Sequence, residues 1–236
     1  MVKNVLFDLD GTLLPMDHDR FIKKYLDVLT LKLKETPYNA EEIIFALVSG
    51  MQTIAKDESG MYTNKETFWR TFTRLYPVDK AVMESVFLDF YENEYSQIKE
   101  IVTPNPIIRE SVTLLLEKNH NLILATSPVF PEIAVVNRLK WSDLNPVDFS
   151  YISSFENSNY AKPSLNYYED ILHKLDLDPG ECIMVGNDLH EDGIVEELGI
   201  DCYLITDFMI NRNNSTRKTK WMGSFTDFHK IIQSSI

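Results

Sequence analysis

The sequence predicts an α/β fold, in which a doubly wound parallel sheet carries an all-helical segment inserted after its first strand. Val5, Leu6 and Phe7 form a short apolar run of strand formers, which is typical of a strand buried on both faces of a parallel sheet. After residue 103, short apolar runs alternate with helical patterns, as in consecutive βαβ units. Between these regions, the apolar side chains recur only at helical spacing.

Composition limits the possible functions. The chain has 236 residues, a net charge of −13 and two cysteines. That charge disfavours non-specific binding to nucleic acid or to an anionic membrane. The longest mostly apolar stretch, 43–55, is too short to cross a bilayer, and Asp8 interrupts the first apolar run, so we expect neither a membrane span nor a signal peptide. Cys182 and Cys202 fall in predicted strands, as reduced residues of a cytoplasmic protein would. We expect a monomer.

The first strand runs directly into two acids. Asp8 and Asp10 follow the apolar run one residue apart, and Gly11 ends the strand. Ligands bind at the carboxyl ends of the strands in open α/β sheets, so the two carboxylates indicate a binding site. An ordinary acidic turn is the alternative, because Asp and Gly are common turn residues.

Four helices are predicted in the inserted segment. The first is expected after an N-cap at Asp19, the second after an N-cap at Asn39, the third over 65–75 and the fourth from about 79 to 96. Two prolines within 103–106 end the segment, because they cannot continue a helix. The predicted domains are an α/β core of residues 1–14 and 104–236 and a helical domain of residues 15–103.

Strands and helices then alternate along the chain. Strands are predicted over 122–125, 149–153, 182–185 and 202–205. Helices are predicted over 107–118, 131–139 and 164–175 and in a short stretch up to Leu198. The last amphipathic segment, 225–232, is expected to pack on the sheet. The stretch 211–220 carries four basic residues and no acid, and it is interpreted either as a solvated loop or as a segment that draws in a phosphate group.

Polar side chains stand at the carboxyl ends of four predicted elements. They are Asp8 with Asp10, Thr126, Lys162, and Asp188 with Asp192. Each has an ordinary explanation alone, as a strand-end hydroxyl, a surface lysine or a helix cap. Together, carboxylates that meet at one edge of a sheet repel one another unless a hard cation lies between them, and such oxygen ligands suit Mg²⁺. The sequence offers no His or Cys cluster for zinc.

The order of these motifs resembles that of the haloacid dehalogenase-like (HAD) hydrolase superfamily. Asp8-Leu9-Asp10-Gly11-Thr12-Leu13 is similar to its first motif. The family's other three motifs also have counterparts here, in the same order. They are an apolar strand that ends in Thr126, then Lys162-Pro163, and then Gly186-Asn187-Asp188 with Asp192. The resemblance implies a Rossmann-like core and a helical cap inserted between the first two motifs, and residues 15–103 match such a cap in position, size and helical content.

The resemblance further implies a Mg²⁺-dependent phosphatase of a small phosphorylated metabolite. Asp8 would be the nucleophile that forms an aspartyl-phosphate, and Asp10 would protonate the leaving oxygen and then deprotonate water. Catalysis would also use Thr126 and Lys162. The implied substrate-binding residues are Thr126, Ser127, Lys162 and Asn187. The implied metal ligands are Asp8, the backbone carbonyl of Asp10, Asp188 and Asp192.

The fourth motif departs from the family's commonest form, which has Asp directly after the glycine, where this chain has Asn187. We expect Asp188 to be the principal metal ligand, because a neutral amide oxygen is the weaker ligand for Mg²⁺. If a helix begins near Asp188, Asp192 lies on the same face as a second ligand or one bound through water. Asn187 would then hydrogen-bond near the phosphoryl group or shape the loop.

Other functions remain open. Dehalogenases of this fold need neither the second acid nor a metal, so Asp10 favours phosphoryl transfer. A phosphomutase would return the phosphoryl group to a sugar. A phosphonate hydrolase would need a Schiff-base lysine in the cap, and the cap lysines available are Lys23, Lys24, Lys32 and Lys34. A non-catalytic phospho-acceptor module is disfavoured by Asp10 and by the helical insertion.

Overall fold

A six-stranded sheet forms the centre of the protein. The structure is a computed structural model that describes residues 2–212 and 214–236. Its strands all pair in parallel in the order β3-β2-β1-β4-β5-β6. They are β1 (Asn4–Phe7), β2 (Asn121–Leu124), β3 (Tyr151–Ile152), β4 (Cys182–Gly186), β5 (Asp201–Ile205) and β6 (Trp221–Gly223). This order confirms the predicted doubly wound α/β sheet.

Helices flank the sheet and make up the inserted segment. The segment contains α1 (His18–Leu33), α2 (Ala40–Ile54), α3 (Asn64–Leu75) and α4 (Lys80–Glu92), followed by a 3-10 helix, Glu94–Ile101. The later helices are α5 (Pro106–Glu117), α6 (Glu132–Trp141), α7 (Leu165–Leu175) and α8 (Phe225–Ser234). Three further 3-10 helices are Pro146–Asp148, Pro179–Glu181 and Gly193–Leu198. None of the described helices combines the length and apolarity needed to cross a membrane.

The central position of β1 determines where the site forms. Val5, Leu6 and Phe7 are fully buried, as predicted for a strand covered on both faces. Phe7 pairs with Leu124 on one side and with Val185 on the other. The residues that follow these three positions therefore emerge together at the carboxyl edge of the sheet.

Several boundaries differ from the predicted ones. Asp17 is the N-cap of α1, where its side chain accepts a hydrogen bond from the amide of Arg20 at 2.8 Å, so the prediction of Asp19 was wrong. Asp19 lies in the first turn, where a negative charge also favours the helix. Asn39 caps α2 as predicted. The predicted fourth helix divides at Asn93, where the α-helical pattern gives way to a 3-10 helix.

The region of the fourth motif also differs. No helix begins near Asp188. Its carbonyl accepts a hydrogen bond from the amide of Asp192 at 2.8 Å, which closes a turn, and the 3-10 helix begins only at Gly193. The condition on which Asp192 was predicted to share a helix face with Asp188 is therefore not met. The sixth strand, β6, follows the basic stretch and was missed because three residues ending in glycine give almost no strand pattern.

The inserted helical segment, which we call the cap, is joined to the rest of the chain at two crossings that lie side by side. The amide of Thr103 donates to the carbonyl oxygen of Pro15 at 2.8 Å. At its other end, the cap contacts core loops, where the amides of Asn64 and Lys65 donate to the carbonyl oxygens of Ser158 and Phe155. The exact division of the chain into two domains stays a prediction.

Candidate active site

A cavity of about 60 Å³ lies at the carboxyl edge of the sheet. Seven predicted site residues line it: Asp8, Asp10, Thr126, Ser127, Asn187, Asp188 and Asp192. Four other residues complete the lining: His18, Glu191, Ile210 and Arg212. Arg212 comes from the basic stretch that was interpreted as a solvated loop or as a segment that draws in a phosphate group. Lys162 is not part of the lining and lies behind Asp8 and Asp192. The structure thus brings all eight predicted residues together around one small space.

Lys162 bridges two carboxylates inside the protein. Its Nζ donates to Asp8 Oδ1 at 2.8 Å and to Asp192 Oδ1 at 2.6 Å, and its side chain is fully buried. Burial opposes the charge of the ammonium group, but the carboxylates of Asp192 and Asp8 outweigh burial and raise the pKa of Lys162. Burial raises the pKa of Asp8 to about 8, with Lys162 opposing the shift and Asp192 adding to it. A cation beside Asp8 would favour its ionised form.

Asp192 has both carboxylate oxygens engaged by the protein. Oδ1 accepts from Lys162, and Oδ2 accepts from the amides of Asn187 and Asp188, each at 2.9 Å. This arrangement needs Gly186, because a Cβ there would lie 2.2 Å from Asp192 Oδ2. Asp192 therefore holds Lys162 and the loop after β4 in place. A metal role for Asp192 stays a prediction.

Asp188 keeps one oxygen free of strong contacts. Its Oδ1 accepts from the amides of His190 and Glu191 at 2.8 and 3.0 Å. Its Oδ2 lies 3.8 Å from Nη1 of Arg212, an ion pair too long for a hydrogen bond. Asp188 can therefore offer Oδ2 to a ligand in the cavity while Oδ1 fixes its orientation.

The oxygen atoms around the cavity suit Mg²⁺ if carboxylates of the protein share the ion with a backbone carbonyl, waters and phosphate oxygens. Within residues 2–212 and 214–236, no three acidic, histidine or cysteine side chains are arranged to hold a metal ion. Five carboxylates line the same cavity, among them those of Asp8 and Asp188. Mg²⁺ is usually held by one or two carboxylates together with waters and phosphate oxygens, so this pair and a backbone carbonyl suffice for it.

Asn187 connects three loops. Its Nδ2 donates to the carbonyl oxygen of Phe208 at 2.6 Å, and its Oδ1 accepts from the hydroxyl of Thr12 at 3.3 Å. Gly11 has a φ of 87°, and a Cβ there would lie 2.2 Å from Asn187 Nδ2. The glycine of the first motif thus admits the asparagine of the fourth. These contacts favour the expectation that Asn187 shapes the loop, and contact with a phosphoryl group stays a prediction.

Two side-chain hydroxyl groups of the core hold the backbone of Thr126 in place. Its carbonyl oxygen accepts from Ser153 Oγ at 2.7 Å and from the hydroxyl of Tyr167 at 2.8 Å. Thr126 itself is buried, and with Ser127 it lines the cavity. Two hydroxyl-bearing residues therefore line the cavity that Asp8 also lines, just after the end of β2, and their hydroxyl groups are of the kind that can donate to an anion.

Four side chains near the site were not predicted from the sequence: His18, Arg138, Glu191 and Ile210. His18 begins the first cap helix. Burial raises the pKa of Glu191 to about 7, with Lys162 opposing the shift. Ile210 closes the cavity wall. Arg138 was missed because a single charge in an amphipathic helix normally faces solvent.

Arg138 is fully buried and paired with Asp10. Its Nη1 donates to Asp10 Oδ2, and its Cζ lies 4.6 Å from the ring centroid of Phe130 and 5.3 Å from that of Phe21. A signal for it exists in the sequence, because Ala134, Arg138 and Trp141 share one helix face at i, i+4 and i+7.

A larger cavity of about 440 Å³ lies between the cap and the core. Its lining is mostly apolar and comes from all four cap helices and from core residues near 129–133 and 155–156. None of the predicted site residues lines it.

The fold and the site together define a hydrolase of the HAD type. The family model for haloacid dehalogenase-like hydrolases matches residues 2–193, and the chain belongs to that family. Comparison with curated proteins finds no match.

Solved structures share this fold along nearly their whole length. A HAD phosphatase from Thermococcus onnurineus is 20% identical, with a TM-score of 0.60 and 98% of each chain covered. The L-2-haloacid dehalogenase from Xanthobacter autotrophicus with chloropropionic acid covalently bound is 13% identical, with a TM-score of 0.59 and full coverage of both chains. A candidate beta-phosphoglucomutase from Thermotoga maritima is 19% identical, with a TM-score of 0.59 and full coverage. At these identities the likeness shows the fold alone.

Proposed function

We propose that this hydrolase is a Mg²⁺-dependent phosphatase that acts on a small phosphorylated metabolite through an aspartyl-phosphate. The observation that supports it best is the position of Asp8. One of its oxygens is held by the Lys162 ammonium at 2.8 Å, and its side chain faces a cavity shared with Asp10 and Thr126. The nucleophile, the acid and the hydroxyl donor that phosphoryl transfer needs therefore surround one space.

The first chemical step forms a bond between Asp8 Oδ2 and phosphorus and breaks the ester P–O bond. Oδ2 is the oxygen that Lys162 does not bind. Asp10 gives its proton to the leaving oxygen, which departs as an alcohol. The hydroxyl of Thr126 donates to a phosphoryl oxygen, where charge develops in the transition state.

The second step restores the enzyme. Water attacks phosphorus, its proton passes to Asp10, and the bond from phosphorus to Asp8 breaks to release inorganic phosphate. Lys162 stabilises the carboxylate of Asp8 as it re-forms, and Asp192 keeps Lys162 in place. Bound Mg²⁺, held by Asp8, the Asp10 carbonyl and Asp188, would neutralise charge on the phosphoryl oxygens.

Two features support phosphatase chemistry over dehalogenation. Asp10 lies in the site beside Asp8, and a dehalogenase of this fold has no use for a second acid there. Asp188 offers a further oxygen ligand, which suits a metal-assisted reaction. Both cysteines are free and buried, which supports our proposal of a cytoplasmic location.

The test is turnover of p-nitrophenyl phosphate with and without Mg²⁺, followed by a panel of phosphorylated metabolites. We expect hydrolysis that depends on Mg²⁺ and is abolished in Asp8→Asn. Release of chloride from 2-chloropropionate without phosphatase activity would assign the protein to the dehalogenases. Activity that requires a bisphosphorylated sugar would indicate a phosphomutase.

A further inference from the structure

Arg138 is a buried cation whose environment fixes its position. It lies on α6 with no exposed surface, and its guanidinium lies over the rings of Phe130 and Phe21 at 4.6 and 5.3 Å. Phe21 belongs to the cap and Phe130 to the core. An arginine held on two aromatic faces has little freedom to turn, and a buried guanidinium needs a hydrogen-bond acceptor.

That acceptor is Asp10. Arg138 Nη1 donates to Asp10 Oδ2, and Asp10 Oδ1 is buried without a hydrogen-bond partner among the described residues. Asp10 therefore depends on Arg138 for the orientation of its carboxyl group, and Oδ1, which Arg138 does not bind, is the oxygen that can carry the proton. Arg138 itself lines neither the catalytic cavity nor the larger one.

We infer that Arg138 is a positioning residue that aims Asp10 at the leaving oxygen of the substrate; this inference rests on the proposed phosphatase function. Arg138 acts through Asp10, since it does not line the cavity that holds the reacting groups. Both parts of the chain hold Arg138, because its guanidinium lies between Phe21 of the cap and Phe130 of the core. Its neighbour Asn137 also binds the cap, since Asn137 Nδ2 donates to the carbonyl oxygen of Tyr91 at 3.0 Å. The acid is thus aligned by a side chain that cap and core hold jointly.

The distinguishing experiment compares two aryl esters of similar shape. Phenol is a poorer leaving group than p-nitrophenol, so its phosphate ester depends more on a proton from Asp10. In Arg138→Met, we expect kcat to fall roughly 10- to 100-fold on phenyl phosphate and only a few-fold on p-nitrophenyl phosphate, with KM changed less than about 2-fold. Arg138→Lys retains the charge but not the planar fork, so it should recover part of the loss.

A mutant cycle and a control separate this role from a merely structural one. Asp10→Asn should show the same dependence on leaving group, and the double variant Asp10→Asn with Arg138→Met should be no slower than Asp10→Asn alone. Val135→Ala makes a cavity in the same helix and removes no hydrogen bond to the Asp10 side chain, so it should affect both esters equally. Circular dichroism of each variant reports whether it has folded, and if Arg138→Met fails to fold, the same cycle is measured with Arg138→Lys.

The outcomes distinguish the two claims. Equal losses on the two esters, or losses that add to those of Asp10→Asn, in an otherwise active enzyme would overturn the role of Arg138 and leave the phosphatase function intact. A wild-type protein that hydrolyses neither ester nor any metabolite phosphate would overturn the proposed function and, with it, the role of Arg138.

Discussion

Asn64 Nδ2 donates to the carbonyl oxygen of Pro128 at 3.1 Å and to that of Tyr160 at 3.0 Å. A single buried cap side chain thus connects the core loop that follows Thr126 with the one that precedes Lys162. The two loops adjoin the candidate site residues Thr126 and Lys162, and one side-chain amide of the cap binds both loops in this structure.

Replacing this amide should destabilise the protein. We expect Asn64→Ala to lower the free energy of unfolding by roughly 2 to 4 kcal/mol, because one buried and one partly buried carbonyl group lose their donor. Asn159→Ala is the matched control: Asn159 Nδ2 donates to the carbonyl oxygen of Gly60 at 3.0 Å, but in a half-exposed position, so its loss should cost less than about 1 kcal/mol. Urea unfolding measures both, and equal effects would contradict the role assigned to Asn64.

The cap should rotate as a unit about the crossings near Leu14-Pro15 and 103–106. The catalytic cavity is small, so an ester needs the cap to move before it can enter. The hydrogen bond from the Thr103 amide to the Pro15 carbonyl joins the crossings and should persist in both states, whereas the hydrogen bonds from Asn64 and Lys65 to core loops should break when the cap moves. Structures with and without a phosphate analogue test this prediction, and an identical cap position in both would contradict it.

The sequence predicted the parts of the site that depend on strand ends. Asp8, Thr126 and Asn187 each follow a short apolar strand, and parallel pairing alone brings such positions to one edge of the sheet. Patterns of this kind are local, so a single chain reveals them. The parallel sheet and the helical content of residues 15–103 followed from the same periodicities.

Contacts between distant segments were not predictable in this way. Arg138 and Asp10 are separated by 128 residues along the chain, so only tertiary packing, in which α6 contacts the cap, brings them together. The role of Asp192 likewise depends on backbone amides whose direction is set by the turn after β4. Spacing identifies the residue types of a site, whereas the partner of each group is decided by tertiary packing.

Asp8 should make metal-free protein less stable as pH rises. Its pKa is about 8 in the folded protein and 3.8 ordinarily, so the folded state retains a proton that the unfolded chain releases. The free energy of unfolding therefore falls from about pH 4 to about pH 8. Asp8→Asn lacks this penalty and should exceed the wild type in stability near pH 8, with the difference vanishing near pH 4.

Urea unfolding in EDTA across this range measures the effect. Mg²⁺ added near pH 8 should stabilise the wild type more than Asp8→Asn, because a cation favours the ionised carboxylate. A variant less stable than the wild type near pH 8 would show that the ion pair with Lys162 outweighs the burial of Asp8.

The last prediction concerns the ligands of the metal. Asp188 has an oxygen free of hydrogen bonds toward the cavity, whereas both oxygens of Asp192 are engaged by Lys162 and two amides. Asp188→Asn should therefore raise the Mg²⁺ concentration for half-maximal activity most, Asp192→Asn less, and Asn187→Ala least. Asp192→Asn should also lower the free energy of unfolding, since it removes the negative charge that pairs with the buried ammonium group of Lys162. Asp201→Asn removes the same charge from the exposed surface and should change neither quantity. If Asn187→Ala weakens metal binding most, the direct ligand is the residue next to Gly186, and Asp188 serves only to shape the turn.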